Sequence, residues 1–224
     1  MKIIHAANEL TPGSRKVCLA IGVFDGVHLG HQQIIRQTVA DARSHDAVAL
    51  VVTFDQHPNA VVAPERVPPN IYSRSQKMRV IESLGADALL EIPFDKAFSE
   101  KSGEEFIREL ARDLGKIFSV CVGAGFVFGR QRSGNVALLK TLGAEINFHV
   151  HGHAAVALDG ETVSSTRIRE AIRTGPQGKR RQRRSDQSLW TAVARRLQYA
   201  GWSGEEQACG GLALWTVVAT GTAM

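Results

Sequence analysis

Apolar runs typical of buried β-strands alternate with amphipathic segments typical of helices through the first 175 residues. The strand-like runs are residues 16–24, 47–54, 87–92, 117–122 and 146–150. The helical segments are residues 30–44, 73–84, 103–114, 135–142 and a last helix that begins at Ser164 or Ser165. Strands that alternate with helices form parallel sheets with right-handed crossovers. The sequence therefore predicts an α/β fold with a doubly wound parallel sheet, whose ligands bind beyond the carboxyl ends of the strands.

Two connections break this alternation. Residues 55–70 are rich in proline and polar side chains and are expected to form a long loop, which is a common place for function. Residues 154–163 are expected to form a hairpin that turns at Asp159-Gly160.

The positive charge of the chain is concentrated in residues 176–224. This segment holds seven Lys or Arg and three Asp or Glu, whereas residues 1–175 hold twenty and nineteen. It also holds all three tryptophans and the run KRRQRR. We expect an irregular, partly disordered tail, and hypothesise that it is translated out of its ancestral reading frame. Residues 1–175 have no global positive field, so binding to nucleic acid is not expected.

The cysteines and the N-terminus favour a cytoplasmic location. Cys18 and Cys121 lie within apolar runs, and Cys209 lies apart from both, which predicts reduced, buried thiols rather than disulfides. The first residues, MKIIHAANEL, do not resemble a secretory signal. No run of about twenty apolar residues predicts a membrane helix.

A glycine-rich turn with two histidines follows the first strand-like run. Gly26 and Gly30 allow a tight turn and a close approach of the backbone to a ligand. The helix that follows presents unpaired N–H groups, which favour phosphate. His28 and His31 are three residues apart, so both rings can point at one anion. The turn is therefore predicted to bind the phosphates of a nucleotide, although such turns also serve helix–strand packing.

A second candidate phosphate segment opens the last predicted helix. Ser164, Ser165 and Thr166 place three hydroxyl donors together. Arg169 can pair with phosphate oxygens through its forked guanidinium, because Ile168 fixes the buried face of the helix. The alternative is an ordinary helix cap with surface arginines. We expect the two segments to flank one triphosphate.

Three histidines alternate along the last strand-like run. His149, His151 and His153 share one strand face, a spacing that could suit a metal. No carboxylate or cysteine accompanies them nearby in the sequence. We therefore favour a solvated strand face and predict no metal ligands.

Several stretches together resemble one family. The two phosphate segments resemble the HxGH nucleotidyltransferase superfamily, whose second motif is ISSTxIR. Other stretches resemble motifs of bacterial FAD synthetases; these are TFDQHP at 53–58, IPFD at 92–95, SGEEF at 102–106, VGAGFVFG at 122–129 and SGN at 133–135. The resemblance covers about residues 17–175.

The resemblance implies a Rossmann-like fold and an adenylyltransferase that joins ATP to FMN to make FAD. It implies that residues 1–175 form the FMN adenylyltransferase domain of a bifunctional riboflavin kinase/FAD synthetase. The GRPY-type and PTAN motifs of the riboflavin kinase module do not follow, so riboflavin phosphorylation is not expected from this sequence. Two positions depart from the family pattern: Gln56 replaces a common proline, and Gly125 stands where many members carry Asp or Asn.

The resemblance also implies roles for individual residues. The implied catalytic residues are His28, His31 and Arg169. The implied ATP-binding residues are Phe24, Gly26, His28, His31, Ser164, Ser165, Thr166 and Arg169. The implied FMN-binding residues are His57, Pro58, Asn59, Phe126 and Phe128. We expect a core position for one of the two phenylalanines, because neighbouring strand positions face opposite ways. Mg²⁺ is expected to enter with ATP.

Three alternatives stay open at this point. A related HxGH enzyme would act on nicotinamide mononucleotide, phosphopantetheine or a cytidylyl acceptor, although the TFDQHP and FVFG stretches argue against it. A catalytically impaired remnant would bind nucleotide without turnover. A nucleic-acid binder would use the basic tail.

Overall fold

The computed structural model describes residues 1–10 and 15–174 of the chain. The predicted tail at 176–224, including Cys209, lies outside the described residues. The chain divides into two compact units, Met1–Val156 and Ala157–Met224, and the second is described here over residues 157–174.

The first unit is built on a six-stranded parallel sheet. Its strands are β1 (Lys2–Ile4), β2 (Val17–Ile21), β3 (Val48–Phe54), β4 (Ala88–Ile92), β5 (Ile117–Gly123) and β8 (His149–His153). They lie in the order β1-β4-β3-β2-β5-β8. A two-stranded antiparallel ribbon follows β5 and consists of β6 (Val127–Phe128) and β7 (Gly134–Asn135). The predicted α/β fold with a parallel sheet is confirmed, whereas edge strand β1 was not predicted.

The helices of the first unit connect these strands. They are α1 (Leu29–Ser44), α2 (Asn59–Val62), α3 (Arg74–Ser83), α4 (Lys96–Ser99), α5 (Gly103–Leu114) and α6 (Val136–Ile146). The two helices with Ser-x-x-Gln and Ser-x-x-Glu at their start have reciprocal capping boxes, from Ser73 in α3 and Ser102 in α5. Asn135 caps α6 by accepting from the backbone N–H of Leu138, as predicted.

Two boundaries differ from the predictions. The 55–70 segment, predicted as a loop, contains α2 and a short 3₁₀ turn at Pro64–Arg66. Helix α6 was predicted to end at residue 142 but continues to Ile146, because Gly143 packs against Phe148 inside the fold rather than ending the helix. Asn147, in the left-handed conformation, is the C-cap. Strand β8 therefore starts three residues later than predicted.

The sheet buries a core on each face. Val17, Leu19 and Ile21 of β2 belong to one cluster with Phe106 and Leu139 of helices α5 and α6. Burying each large apolar side chain fully contributes roughly 1.5–3 kcal/mol. Alternate positions along a strand face opposite sides, so the intervening residues of β2 face α1.

The strand order creates a crevice at the centre of the sheet. From β2 the chain winds outward through β3 to β4, and then returns to place β5 on the other side of β2. Such a reversal leaves a gap between the two connections at the carboxyl ends of the strands, where ligands of doubly wound sheets bind. The loop that carries His28 leaves the carboxyl end of β2, and the VGAGFVFG stretch leaves that of β5.

The second unit is described as a hairpin and a helix. Strands β9 (Ala157–Leu158) and β10 (Glu161–Thr162) pair in antiparallel fashion around Asp159-Gly160, as predicted. Helix α7 (Ser165–Thr174) follows and buries Ile168 and Ala171. Over residues 1–10 and 15–174, no helix has the length and apolar character that a membrane span requires.

Candidate active site

The loop between β2 and α1, here called the histidine loop (residues 22–28), has an unusual backbone. Phe24, Gly26 and Val27 all have positive φ, at 53°, 75° and 33°. A positive φ is rare for a β-branched residue such as Val27 and costs conformational energy. The surrounding structure must therefore hold the histidine loop in this shape.

Two side-chain contacts hold the histidine loop. The buried Asp25 carboxylate accepts hydrogen bonds from the backbone N–H groups of Ile71, at 3.0 Å, and Tyr72, at 3.2 Å. The Thr53 hydroxyl at the end of β3 donates to the Val23 carbonyl at 3.1 Å. The loop is thus fixed from β3 and from the segment that leads into α3.

The two histidines stack at the start of α1. The imidazole centroids of His28 and His31 are 3.6 Å apart with an interplanar angle of 22°, and the Phe24 ring meets His31 edge-on at 5.3 Å. Burial lowers the pKa of His31 to about 3, and the neighbouring His28 imidazole adds to the effect. The Nδ1 atom of His31 is buried without a hydrogen-bond partner among the described residues. His31 is therefore a neutral imidazole at pH 7, on the first turn of α1, whose N-terminus favours anions.

Two hydrogen bonds join the TFDQHP stretch to the IPFD stretch. The Phe94 N–H donates to the Asp55 carboxylate at 2.9 Å, and the Gln56 side chain donates to the Phe94 carbonyl at 2.8 Å. Gln56, which departs from the family pattern, therefore fixes the loop through a hydrogen bond that proline lacks.

The start of α2, next to these hydrogen bonds, holds the predicted flavin-side residues His57, Pro58 and Asn59. The Nδ1 atom of His57 accepts from the Asn59 N–H at 3.1 Å, and the Asn59 side chain donates to the Arg66 carbonyl at 2.9 Å. These bonds order the loop. Contact of these residues with FMN stays a prediction.

A continuous row of phenylalanines links four of the motif-like stretches. Successive ring centroids lie 5.0–6.2 Å apart in the order Phe54, Phe94, Phe98, Phe106, Phe128 and Phe126. Pairs at this spacing contribute about 0.5–1.5 kcal/mol each beyond area burial. These stretches, distant in sequence, therefore share one packed layer of aromatic side chains.

The expectation that Phe126 and Phe128 face opposite ways is wrong. Their rings stack at 5.0 Å with an interplanar angle of 18°, and both are partly buried against the core. Residues i and i+2 share a strand face, so alternation places these rings together. The pair can offer one aromatic face to a flavin, but not a slot between the rings.

The backbone around Gly129 is packed too closely for any other residue. A Cβ atom on Gly129, whose φ is 74°, would lie 2.3 Å from the backbone nitrogen of Gly103. The Gly103 N–H also donates to the Ser133 hydroxyl at 2.9 Å. The structure thus brings the FVFG, SGEEF and SGN stretches together at the carboxyl end of β5.

The second phosphate segment lies at the start of α7 in the second unit. The Ser164 hydroxyl accepts from the Arg167 N–H at 3.3 Å, so Ser164, one of the two predicted starts of this helix, is its cap. The Arg167 guanidinium donates to the Thr162 carbonyl and pairs with Glu161, so the hairpin holds this side chain. Ser165 and Thr166 follow on the first turn, and Arg169 lies one turn after Ser165. That this segment and the histidine loop share one triphosphate stays a prediction.

The three histidines of β8 do not form a simple solvated face. His149 is exposed, but His151 Nε2 lies 3.4 Å from the Asp41 carboxylate of α1, which also accepts from the Ser119 hydroxyl. The pairing of β5 with β8 also sets Cys121 beside His151. Helix α1 and strand β5 therefore supply a carboxylate and a cysteine from distant positions, although no group of three or more His, Cys, Asp or Glu that could hold a metal occurs within residues 1–10 and 15–174.

Three charged side chains near the carboxyl ends of β3 and β4 were not predicted from the sequence. The Nζ atom of Lys77, on α3, donates to the Thr53 hydroxyl at 3.3 Å and to the Phe54 carbonyl at 3.1 Å. The buried Glu91 carboxylate on β4 accepts from Nε of Arg74 at 2.8 Å. No local pattern marks these residues, since an amphipathic helix is expected to carry lysine and arginine on its outer face.

Comparisons with known proteins relate the chain to one family. Residues 11–167 match the FAD synthetase family. A protein of Geobacillus thermodenitrificans, named provisionally as a bifunctional riboflavin kinase/FMN adenylyltransferase, is 37% identical over 175 residues, which cover 77% of this chain and 90% of that protein. The bifunctional riboflavin kinase/FMN adenylyltransferase of Escherichia coli K12 is 29% identical over 77% of this chain. The chain spans 55% of the length of that relative.

A solved structure has the same fold. The crystal structure of a protein from Streptococcus pneumoniae, named a macrolide-efflux protein, superposes with a TM-score of 0.66 and 24% identity, covering 78% of this chain and 57% of that one. At this identity the likeness shows the fold alone. The family match over most of the chain and the close Geobacillus relative settle the relationship: the chain belongs to the FAD synthetase family.

Proposed function

We propose that this chain transfers the adenylyl group of ATP to FMN, giving FAD and pyrophosphate. The observation that carries the proposal is the stacked His28–His31 pair, held by a strained loop at the start of α1, next to the central crevice of the sheet. The names of the relatives, which include FMN adenylyltransferase, support the same reaction.

The reaction needs positioning and charge stabilisation rather than a covalent enzyme intermediate. A phosphate oxygen of FMN attacks the α-phosphorus of ATP in line. The bond from the α-phosphorus to the bridging oxygen breaks, and pyrophosphate leaves with that oxygen. Magnesium arrives with ATP as part of the substrate and neutralises phosphate oxygens.

His28 and His31 act on the phosphates in this proposal. A neutral imidazole donates one N–H without carrying a positive charge, and the N-terminus of α1 adds a positive dipole end. Both stabilise the negative charge that develops as pyrophosphate leaves. Phe24 and Gly26 line the nucleotide site. Ser164, Ser165, Thr166 and Arg169 bind the β- and γ-phosphates, with Arg169 as the third catalytic group.

The acceptor binds on the side of the phenylalanine row. His57, Pro58 and Asn59 contact FMN, and the stacked Phe126–Phe128 pair presents an aromatic face to the isoalloxazine ring. This region lies next to the two hydrogen bonds between the TFDQHP and IPFD stretches, which keep the loop ordered.

The domain that performs this reaction comprises residues 1–175, with the basic segment 176–224 as an appendage. The cytoplasm suits the chain, because its two described cysteines are free and buried.

Product analysis tests the proposal. Purified full-length chain is incubated with ATP and magnesium and with either FMN or riboflavin, and the flavins are separated. The expected result is FAD from FMN and no product from riboflavin. His28→Asn and His31→Asn should each reduce the rate by at least about a hundredfold. The matched control, His149→Asn at an exposed position of β8, should keep the wild-type rate.

Other acceptors separate the alternatives. Adenylylation of nicotinamide mononucleotide or phosphopantetheine in preference to FMN would replace the proposal with a related activity. Equilibrium binding of ATP with no turnover of any acceptor would identify a nucleotide-binding remnant.

A further inference from the structure

Lys77 reaches from α3 to the carboxyl end of β3. Its Nζ atom donates to the Thr53 hydroxyl at 3.3 Å and to the Phe54 carbonyl at 3.1 Å. Both acceptors are uncharged, and no carboxylate lies within ion-pair distance of Nζ among the residues that the structure describes. Burying a lysine is costly unless its ammonium is paired or hydrogen-bonded, so these two hydrogen bonds offset part of that cost.

The Thr53 hydroxyl connects Lys77 to the histidine loop. Thr53 is fully buried, and its hydroxyl donates to the Val23 carbonyl at 3.1 Å while it accepts from Lys77. Val23 directly precedes Phe24, the first residue of the loop with positive φ. A two-bond path therefore runs from α3 through β3 to the loop that carries His28.

The same helix has a second connection to the histidine loop. The residues that lead into α3, Ile71 and Tyr72, donate their N–H groups to Asp25 within the loop. The capping box of Ser73 fixes the start of α3 relative to these residues. Asp25 and Lys77 thus connect the histidine loop to α3 at two points, one in the segment that leads into the helix and one on the helix itself.

The charges around Lys77 support this arrangement. Burial lowers the pKa of Lys77, whereas the nearby carboxylates of Glu91, Asp25 and Asp55 oppose the shift. Asp25 lies in the histidine loop and Asp55 in the TFDQHP stretch. A cation at Nζ therefore balances negative charge from both the histidine loop and the TFDQHP stretch, beside a site that has to accept anionic substrates.

We propose that Lys77 is a positioning residue for the adenylyl transfer, which holds the histidine loop in its strained shape through the Thr53 hydroxyl. This inference rests on the proposed function. Lys77 touches the loop through Thr53 and is assigned no contact with substrate. Its loss should therefore displace His28 and His31 and lower kcat, with less effect on KM.

A double-mutant cycle tests the path. Lys77→Met keeps the length of the side chain and removes the donor, and Thr53→Val keeps the shape of the threonine and removes its hydroxyl. Each variant should lower kcat for FAD synthesis by at least about tenfold. The KM for ATP and the KM for FMN should each change by less than about threefold. The double variant should lose little more than either single one, because both break the same path. Thr53→Ser should restore most of the activity.

Two controls separate this inference from a general loss of structure and from failure of the proposed function. Lys140→Met, on the exposed face of α6, should behave as wild type. The ring-proton NMR signals of His28 and His31 should shift in Lys77→Met but not in Lys140→Met, a readout that needs no activity. If the wild-type chain makes no FAD, that result overturns the proposed function alone. The role of Lys77 would be overturned by either of two results with an active wild type. In the first, the histidine signals do not shift in Lys77→Met. In the second, the losses of kcat in the two single variants multiply in the double variant.

Discussion

Two imidazoles stacked 3.6 Å apart carry much of the chemistry proposed for this chain. Sequence spacing predicts that both rings can meet one anion, but it does not predict that one ring loses its basicity. Burial next to a second imidazole produces that loss, since a cation at His31 would be poorly solvated and would repel a charge on His28.

The depressed pKa of His31 predicts a stability change with pH. The unfolded chain takes up a proton near the ordinary pKa of 6.5, whereas the folded chain takes it up only near 3. Folded stability should therefore be complete above about pH 6.5 and should fall as the pH drops towards 3. Between pH 7 and pH 5, wild type should lose about 1–2 kcal/mol more than His31→Gln in urea unfolding. His149→Gln is the matched control, and equal losses in wild type and His31→Gln would contradict the assignment.

Gly125 offers a test of the departure from the family pattern. A Cβ atom at this position would meet no other atom within 4 Å, and the residue has no positive φ. Gly125→Asn should therefore fold without strain and restore a polar contact, raising kcat/KM for FAD synthesis by about threefold to tenfold. Gly125→Ala controls for the added Cβ, and an equal gain in both variants would argue against a polar contact.

At the scale of the element, the histidine loop is defined by what packs against it. Gly26 has a φ of 75°, and a Cβ atom there would lie 2.9 Å from Cδ1 of Ile71. Glycine is therefore required at this position for two reasons. The backbone has a positive φ there, and the segment that leads into α3 packs too closely to leave room for a Cβ atom.

Replacing Gly26 by alanine should damage both stability and turnover. We expect Gly26→Ala to lose about 1–3 kcal/mol of unfolding free energy and at least tenfold in FAD synthesis. Adding Ile71→Ala should relieve the clash but not the positive φ, and so restore only part of the loss. A Gly26→Ala enzyme with wild-type stability and rate would show that the loop has more freedom than its contacts indicate.

At the scale of the whole molecule, the central sheet protects the two described cysteines. Cys18 on β2 and Cys121 on β5 are fully buried, and burial raises the pKa of the Cys121 thiol to about 12. Both predicted thiols are confirmed as free and buried. Their strands are interior strands of the sheet, so exposure requires the sheet to open.

Thiol labelling should therefore report global unfolding. In a Cys209→Ser background, iodoacetamide at pH 8 should not label the native protein and should label both cysteines in 6 M guanidinium. With increasing denaturant, the labelling rate measured by mass spectrometry should follow the unfolded fraction. Rapid labelling of Cys121 without denaturant would indicate local opening of β5.

The strand and helix pattern of the first unit could be predicted because it depends on local apolar periodicity. Most helices and the parallel strands lie within a few residues of their predicted bounds. Edge strand β1 was missed because three residues carry too short a pattern, and the end of α6 was misplaced because Gly143 is held by tertiary contact with Phe148. The partners of Asp41 and Lys77 come from distant segments, so no local pattern could show them.

The sequence alone determined which chemistry is present: a glycine turn with two histidines, a hydroxyl cluster with an arginine, and the family motifs, because these depend on residue type and short spacing. Tertiary structure decided how that chemistry is held. The contact of Ile71 and Tyr72 with Asp25, the Lys77–Thr53–Val23 path and the phenylalanine row all join residues far apart in the chain. Such contacts exist only after the sheet has formed, since the fold and not the spacing of the residues sets the distances between them.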